Sequence, residues 1–101
     1  MRWLYHVRVR APVTDDYVGP SFAKEGFTHC SYADRILESA SLYFPDHDDL
    51  ELLMIDPRGL DVRVATTPRG PMPHVHQPIP AAAVQRVISL PTEEPLADTL
   101  P

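Results

Sequence analysis

The chain has 101 residues and a formal net charge of −5, a length that suits one small domain built around a single core. The acidic balance argues against a general nucleic-acid binder, because such proteins gain affinity mainly by neutralising phosphates. The lone cysteine excludes an internal disulfide, which suits a reducing compartment. No apolar run approaches the ~20 residues of a membrane span, and no signal-peptide pattern is visible. We therefore expect a cytoplasmic protein without membrane contact.

The first predicted element is a half-buried strand over residues 2–9. Apolar and polar residues alternate, with Trp3, Tyr5, Val7 and Val9 on one face and Arg2, Leu4, His6 and Arg8 on the other. The apolar set is expected to face the core, which leaves His6 on the polar face beside two arginines. Two interpretations of His6 stay open: a solvated surface histidine, or a pocket residue that contacts an anionic or carbonyl-bearing ligand.

An irregular connection is predicted over residues 11–25, which hold prolines, aspartates and a glycine. Connections of this length inside a compact domain are usually functional or loosely ordered. This one is a candidate wall or lid of a pocket, anchored by Tyr17 and Phe22.

Residues 26–31 (GFTHCS) combine a short strand, polar side chains of catalytic type and a helix start. In a regular strand alternate side chains share a face, which would make His29 and Ser31 neighbours and turn Cys30 away from them. We therefore interpret Cys30 as a buried, inert thiol. Ser31 followed three residues later by Asp34 predicts a helix N-cap.

The remaining elements follow from periodicity and from turn residues. An amphipathic helix is predicted over 32–44, ended by Pro45. The apolar run within 50–55 predicts a strand covered on both faces at the centre of a sheet. Then follow a short strand over 61–65 with Val62 and Val64 inward, a proline-rich surface loop over 66–73, a last strand over 83–90, and an acidic tail over 92–101 that is expected to fray beyond a single domain of residues 1–91.

His74 and His76 would share one face of a strand, about 6.6 Å apart along the chain. Two such histidines match half of a zinc site, but two ligands are not a site, and a third would have to come from His29, His6 or a carboxylate. Structural histidines that form hydrogen bonds are the alternative, and we assign no metal.

The chain order also suggests that three histidines meet. With His6 outward, His29 at a strand end and His74 after a flexible loop, we predict that these imidazoles line one cleft. Imidazoles brought together resist protonation, so at least one pKa is expected below the ordinary value of ~6.5, with an anion favoured at acidic pH.

Five segments form a set of motifs in a fixed order: LYH at 4–6, EGFTHCS at 25–31, DLELLMID at 49–56, MPHVHQPIP at 72–80 and AV at 83–84. Together they resemble the domain-of-unknown-function 952 family of small bacterial proteins, over about residues 2–90. The family commonly reads GFIHCS and FPHxYGPLP, so Thr28, Met72, His76 and Gln77 stand where it has other residues.

The resemblance implies an α+β fold similar to ADP-ribosyltransferases, in which a split pair of small sheets with one main helix grips a nicotinamide dinucleotide or ADP-ribose. It also implies that His6 matches the first-strand histidine of such enzymes, and that His29 with Ser31 matches the second-strand position. Those transferases add a glutamate from a late strand, whereas here no Glu lies between Glu51 and Glu93.

Two hypotheses of different class follow. The first is a transferase of the ADP-ribosyl or RNA 2'-phosphate type that uses NAD or ADP-ribose, and the second is a non-catalytic module that binds a small nucleotide-like ligand or a protein partner through the same cleft. The absent glutamate favours the second, and the clustering of histidines and arginines favours the first. The predicted catalytic residues are His6, His29 and His74, and the predicted ligand-binding residues are Arg8, Ser31 and His76.

Overall fold

The structure, a computed structural model that describes residues 1–12 and 15–101, is a small α+β protein, as predicted. Val13 and Thr14, which belong to the predicted connection, lie outside the described residues. The elements are β1 (Leu4–Val9), α1 (Phe22–Glu25), β2 (Thr28–His29), α2 (Ile36–Tyr43), β3 (Leu50–Ile55), β4 (Val62–Thr67), β5 (Gly70–Val75), a 3-10 turn (Ala81–Ala83) and β6 (Val84–Ser89). They form two antiparallel sheets, a first sheet of order β1-β3-β6 and a second sheet of order β2-β5-β4.

The first sheet is covered on both faces. Its central strand β3 is buried along its whole length, which confirms the prediction for residues 50–55. One face packs beneath α2 through Tyr5, Val7 and Leu52, and the other packs toward the second sheet through Leu4, Leu53 and Ile55. The prediction of a half-buried first strand was therefore wrong. The face that carries His6 and Arg8 is covered by the second sheet and by the connection between β1 and α1.

The segment 28–31 crosses from the second sheet to the first. His29 pairs with His74 in the second sheet, while Ser31 exchanges two backbone hydrogen bonds of 2.8 Å with Tyr5 in the first. The alternation of a regular strand is lost at this crossing. His29 is consequently exposed and Ser31 is buried, so the prediction that they are neighbours was wrong.

The main helix begins later than predicted. Its N-cap is Arg35, with no side-chain cap hydrogen bond, and residues 33–35 form turns before it. The Ser31 hydroxyl lies 3.0 Å from the Ser39 hydroxyl in the interior and does not cap the helix. The helix ends at Tyr43, two residues before Pro45, close to its predicted end.

The predicted loop over 66–73 is a β-hairpin, and this prediction was wrong. Pro71 and Pro73 lie within β5, the central strand of the second sheet. The Cys30 N–H donates to the Pro73 carbonyl at 3.1 Å, so the missing N–H of Pro73 faces the β2 side. The ladder to β4, on the opposite edge of β5, therefore loses no donor at Pro73. The two-residue strand β2 pairs only with His74 and Val75, so it needs no donor from Pro73 either. Val64, predicted to point inward, is 54% exposed.

The tail over 92–101 packs against the first strand, which contradicts the expectation that it frays. The Trp3 N–H donates to the Asp98 carbonyl at 2.8 Å, and the Tyr5 hydroxyl donates to the Ala97 carbonyl at 2.7 Å. Leu96 packs on the core beneath α2. Within the described residues, none of the helices is long and apolar enough to cross a membrane.

Candidate functional site

Four rings form one cluster on the outer side of the second sheet. We call this cluster, Phe27, His29, His74 and His76, the aromatic–imidazole face. Phe27 and His74 are stacked, with ring centroids 4.1 Å apart and planes at 11°. His29 meets the edge of His74 at 5.0 Å, and Phe27 lies 4.9 Å from both His29 and His76. His74 and His76 thus lie on one side of the sheet, as predicted.

Strand register explains why these rings meet. The antiparallel pairing of β2 with β5 places His29 directly opposite His74. Side chains opposite each other in such a pair lie about 4.5–5.5 Å apart at Cβ. Phe27 precedes His29 by two positions and His76 follows His74 by two, so in continued register they form the next row of the same face.

Charged side chains border the face on two sides. The Glu25 carboxylate, at the end of α1, lies 3.4 Å from the His29 Nε2. Arg63 of β4 lies opposite His74, and its guanidinium is 3.1 Å from the Asp61 carboxylate. Two carboxylates and one guanidinium therefore surround three imidazoles.

The imidazoles of the face differ in their surroundings. His29 has 54% of its side chain exposed, whereas His74 lies half-buried between the other rings. Partial burial lowers the pKa of His74 below its ordinary value, and the neighbouring His29 and His76 lower it further. The pKa of His74 is therefore depressed, but mainly through burial, whereas the prediction gave the clustering of imidazoles as the cause.

His6 is not part of this face, so the prediction of one cleft for His6, His29 and His74 was wrong. Its Nδ1 lies 2.7 Å from the His29 carbonyl and its Nε2 lies 2.9 Å from the Tyr17 hydroxyl. A carbonyl only accepts, so Nδ1 carries the proton and the Tyr17 hydroxyl donates to Nε2. The β2 backbone therefore separates the His6 ring from the His29 ring, and burial lowers the pKa of His6 to about 4.

Arg8 and Ser31, predicted to bind ligand, have internal partners instead. Arg8 donates from Nε to the Glu51 carboxylate at 3.0 Å, and both side chains are buried. Arg8 also donates to the Ala11 carbonyl, and its guanidinium lies 5.1 Å from the Tyr17 ring centroid. Neither Arg8 nor Ser31 lies on the aromatic–imidazole face, and both hold segments of the fold together.

The connection before α1 covers His6 closely. Tyr17 exchanges backbone hydrogen bonds of 2.8 Å with Ile79, and the Gly19 N–H donates to the Thr28 hydroxyl at 2.8 Å. A Cβ on Gly19 would lie 2.8 Å from Thr28 Cγ2 and 3.2 Å from His6 Cε1. The predicted wall or lid is therefore a close cover that fills the space over His6.

Cys30 is buried and burial raises its pKa to about 12, which agrees with an inert thiol. Across residues 1–12 and 15–101, no group of three or more His, Cys, Asp or Glu side chains is arranged to hold a metal ion.

One surface cavity of about 410 Å³ lies away from the aromatic–imidazole face, beside Arg2 and Arg58. Both guanidiniums are paired with aspartates, so they do not indicate an anionic ligand for this cavity.

Sequence reasoning missed the part played by Phe27 and Glu25. In an extended segment Phe27 shares a face with His29, but its stack on His74 depends on the pairing of β2 with β5, which the local sequence does not show. Glu25 stands four residues before His29, and the turn between them brings the two side chains together. Only the spacing of a short helix followed at once by a strand could have indicated this contact.

The comparisons with known proteins agree with the resemblance. The family model described as "Protein of unknown function (DUF952)" matches residues 7–87. Among solved structures, protein CC0527 from Caulobacter crescentus is similar, with a TM-score of 0.78 and 20% identity over 96% of this chain and 93% of that one. A double mutant of CC0527 matches with the same TM-score and identity. At this identity the likeness shows the fold alone. Among curated proteins, none matches this chain.

Proposed function

The chain belongs to the DUF952 family, and we propose that it is a non-catalytic module that binds a small nucleotide-like ligand on the aromatic–imidazole face. The observation that carries this proposal is the stack of Phe27 on His74 at 4.1 Å with two further imidazoles against it. A packed core explains neither the exposure of His29 nor the grouping of three imidazoles outside it.

The chemistry of these rings suits a nucleotide. Flat aromatic surfaces stack with bases, and such stacking contributes about 1–3 kcal/mol per base in proteins that bind single strands. Imidazoles add hydrogen-bond donors and, when protonated, positive charge for phosphates. NAD and ADP-ribose carry both an adenine and phosphates, so the residues of the face fit the ligands that the resemblance implies.

Two observations support binding without catalysis. Strands β4, β5 and β6 contain no glutamate that could act as the late-strand acid of a transferase. Both ring nitrogens of His6 are occupied, by the His29 carbonyl and the Tyr17 hydroxyl. His6 therefore has a structural role, because it ties β1 to β2 and to the connection that covers it.

A transferase with an ADP-ribosyltransferase-like fold is the second candidate. It is favoured by the pair of small sheets that meet where the His6 ring bonds the β2 backbone. Release of nicotinamide from NAD, followed by chromatography, tests it. Turnover that is lost in His6→Gln would support the transferase and would contradict the non-catalytic proposal.

A thermal-shift panel of adenosine, ADP-ribose and NAD tests the binding proposal. A ligand at 100 times its dissociation constant stabilises the fold by roughly 2.7 kcal/mol, which a melting curve resolves. We expect a shift with ADP-ribose that is lost in Phe27→Ala and His74→Ala. His47→Ala is the matched control, because His47 is exposed and its nearest charged partner is Asp49, away from the face. Absence of any shift, or an equal shift in all variants, would contradict the proposal.

A further inference from the structure

We propose that the aromatic–imidazole face is a proton-gated phosphate site, which binds the ionised phosphates of its ligand strongly only after its imidazoles have taken up protons. This inference rests on the proposed function, since it concerns how the same face recognises the charged part of a nucleotide-like ligand. In this proposal phosphate is the group that the face recognises, and pH regulates its binding.

The charges around the face decide whether it attracts an anion. Glu25 faces His29 from the end of α1, and Asp61 and Arg63 come from β4, the strand beside β5. With neutral imidazoles, the two carboxylates outnumber the single guanidinium and the face repels an anion. Protonation of the three imidazoles reverses this sign, so the face then attracts one.

The spacing of the rings allows one phosphate to meet more than one imidazole. The His29 and His74 centroids are 5.0 Å apart, and both His74 and His76 lie against Phe27. An imidazolium has an N–H donor on each ring nitrogen, whereas a neutral imidazole has one. Glu25 takes one nitrogen of His29, which leaves the other nitrogen for a ligand.

Proton uptake and anion binding must then support each other. Positive charges on imidazoles this close repel one another. A bound phosphate offsets that repulsion and favours protonation. By thermodynamic linkage, protonation favours the phosphate to the same extent. The half-buried position of His74, which lowers its pKa, strengthens this coupling.

Calorimetric titration with ADP-ribose and with adenosine, at about pH 5 and about pH 8, tests the gate. The pyrophosphate of ADP-ribose is esterified at both ends, so both phosphates stay ionised over this range. Any change in affinity with pH therefore reflects the protein. One imidazolium near a charged oxygen strengthens binding about fivefold in water-like surroundings. With two or more such contacts, we expect ADP-ribose to bind about tenfold or more tightly at the lower pH, and adenosine to bind almost equally at both.

Repeating the ADP-ribose titration in buffers of different ionisation enthalpy counts the protons taken up. We expect net uptake by the protein, reduced in His74→Gln and unchanged in the control His47→Gln. Binding of ADP-ribose with equal affinity at both pH values and no proton uptake would overturn the gate and leave the proposed function standing. Failure of both adenosine and ADP-ribose to bind at either pH would overturn the proposed function as well.

Discussion

The burial of His6 predicts that acid lowers the free energy of unfolding. Its pKa in the folded chain is about 4, because burial disfavours the charged ring, while an unfolded histidine has a pKa of 6.5. Between these values the unfolded chain binds a proton that the folded chain does not. The contribution of His6 to the free energy of unfolding is therefore fully present above the unfolded pKa. It falls as the pH drops toward 4, and below that pH it changes no further.

The size of the effect follows from the same two values. One pKa unit corresponds to 1.36 kcal/mol, so the interval between 6.5 and about 4 corresponds to about 3 kcal/mol. The His6 side chain is only 7% exposed, so solvent screening reduces this figure little. For a domain with a total stability of about 5–15 kcal/mol, this is a large share.

Urea unfolding followed by the fluorescence of Trp3, at a series of pH values, measures this loss. The variant His6→Gln keeps an N–H donor for the His29 carbonyl but cannot titrate, so its stability should change less between about pH 6.5 and about pH 4. His47→Gln should behave like the wild type, since His47 is exposed. An NMR titration that gave His6 an ordinary pKa, or equal pH dependence in all three proteins, would refute the reasoning.

Three substitutions test the packing that positions the face. Leu53→Ala should cost about 2–5 kcal/mol in urea unfolding, because the Leu53 side chain in β3 is fully buried, and a loss below ~0.5 kcal/mol would refute the central placement of β3. Ser31→Ala should cost roughly 1 kcal/mol through the lost bond to Ser39, with helix content by circular dichroism unchanged; a fall in helix content would instead indicate a cap. Gly19→Ala should cost about 1–3 kcal/mol because its Cβ would lie 2.8 Å from Thr28 Cγ2, and unchanged stability would show that the cover over His6 is loose.

Local patterns in the sequence predicted the central strand and the end of the main helix. The apolar run of β3 and the helical spacing before Pro45 each depend on a few neighbouring residues. The prediction for β3 agrees with the structure, and the helix ends close to its predicted end although it begins later. The family could be named because several motifs occur in order, and the match over residues 7–87 confirms it.

Long-range contacts explain the failures. Nothing local shows that the chain leaves one sheet for the other between His29 and Ser31, and this crossing decides which side chains meet. The prolines of β5 indicate a loop by composition, yet the shortness of β2 lets them lie in a strand. The burial of His6 likewise depends on Tyr17, eleven residues away in the connection.

The most direct test of the central claim is an NMR map of all five histidine side chains during titration with ADP-ribose at about pH 5. If the aromatic–imidazole face is the binding site, the imidazole resonances of His29, His74 and His76 will shift together with ligand concentration, while those of His6 and His47 stay in place. Saturable shifts confined to His6 and the covering Tyr17, or no shift at any of the five imidazoles, would contradict the claim.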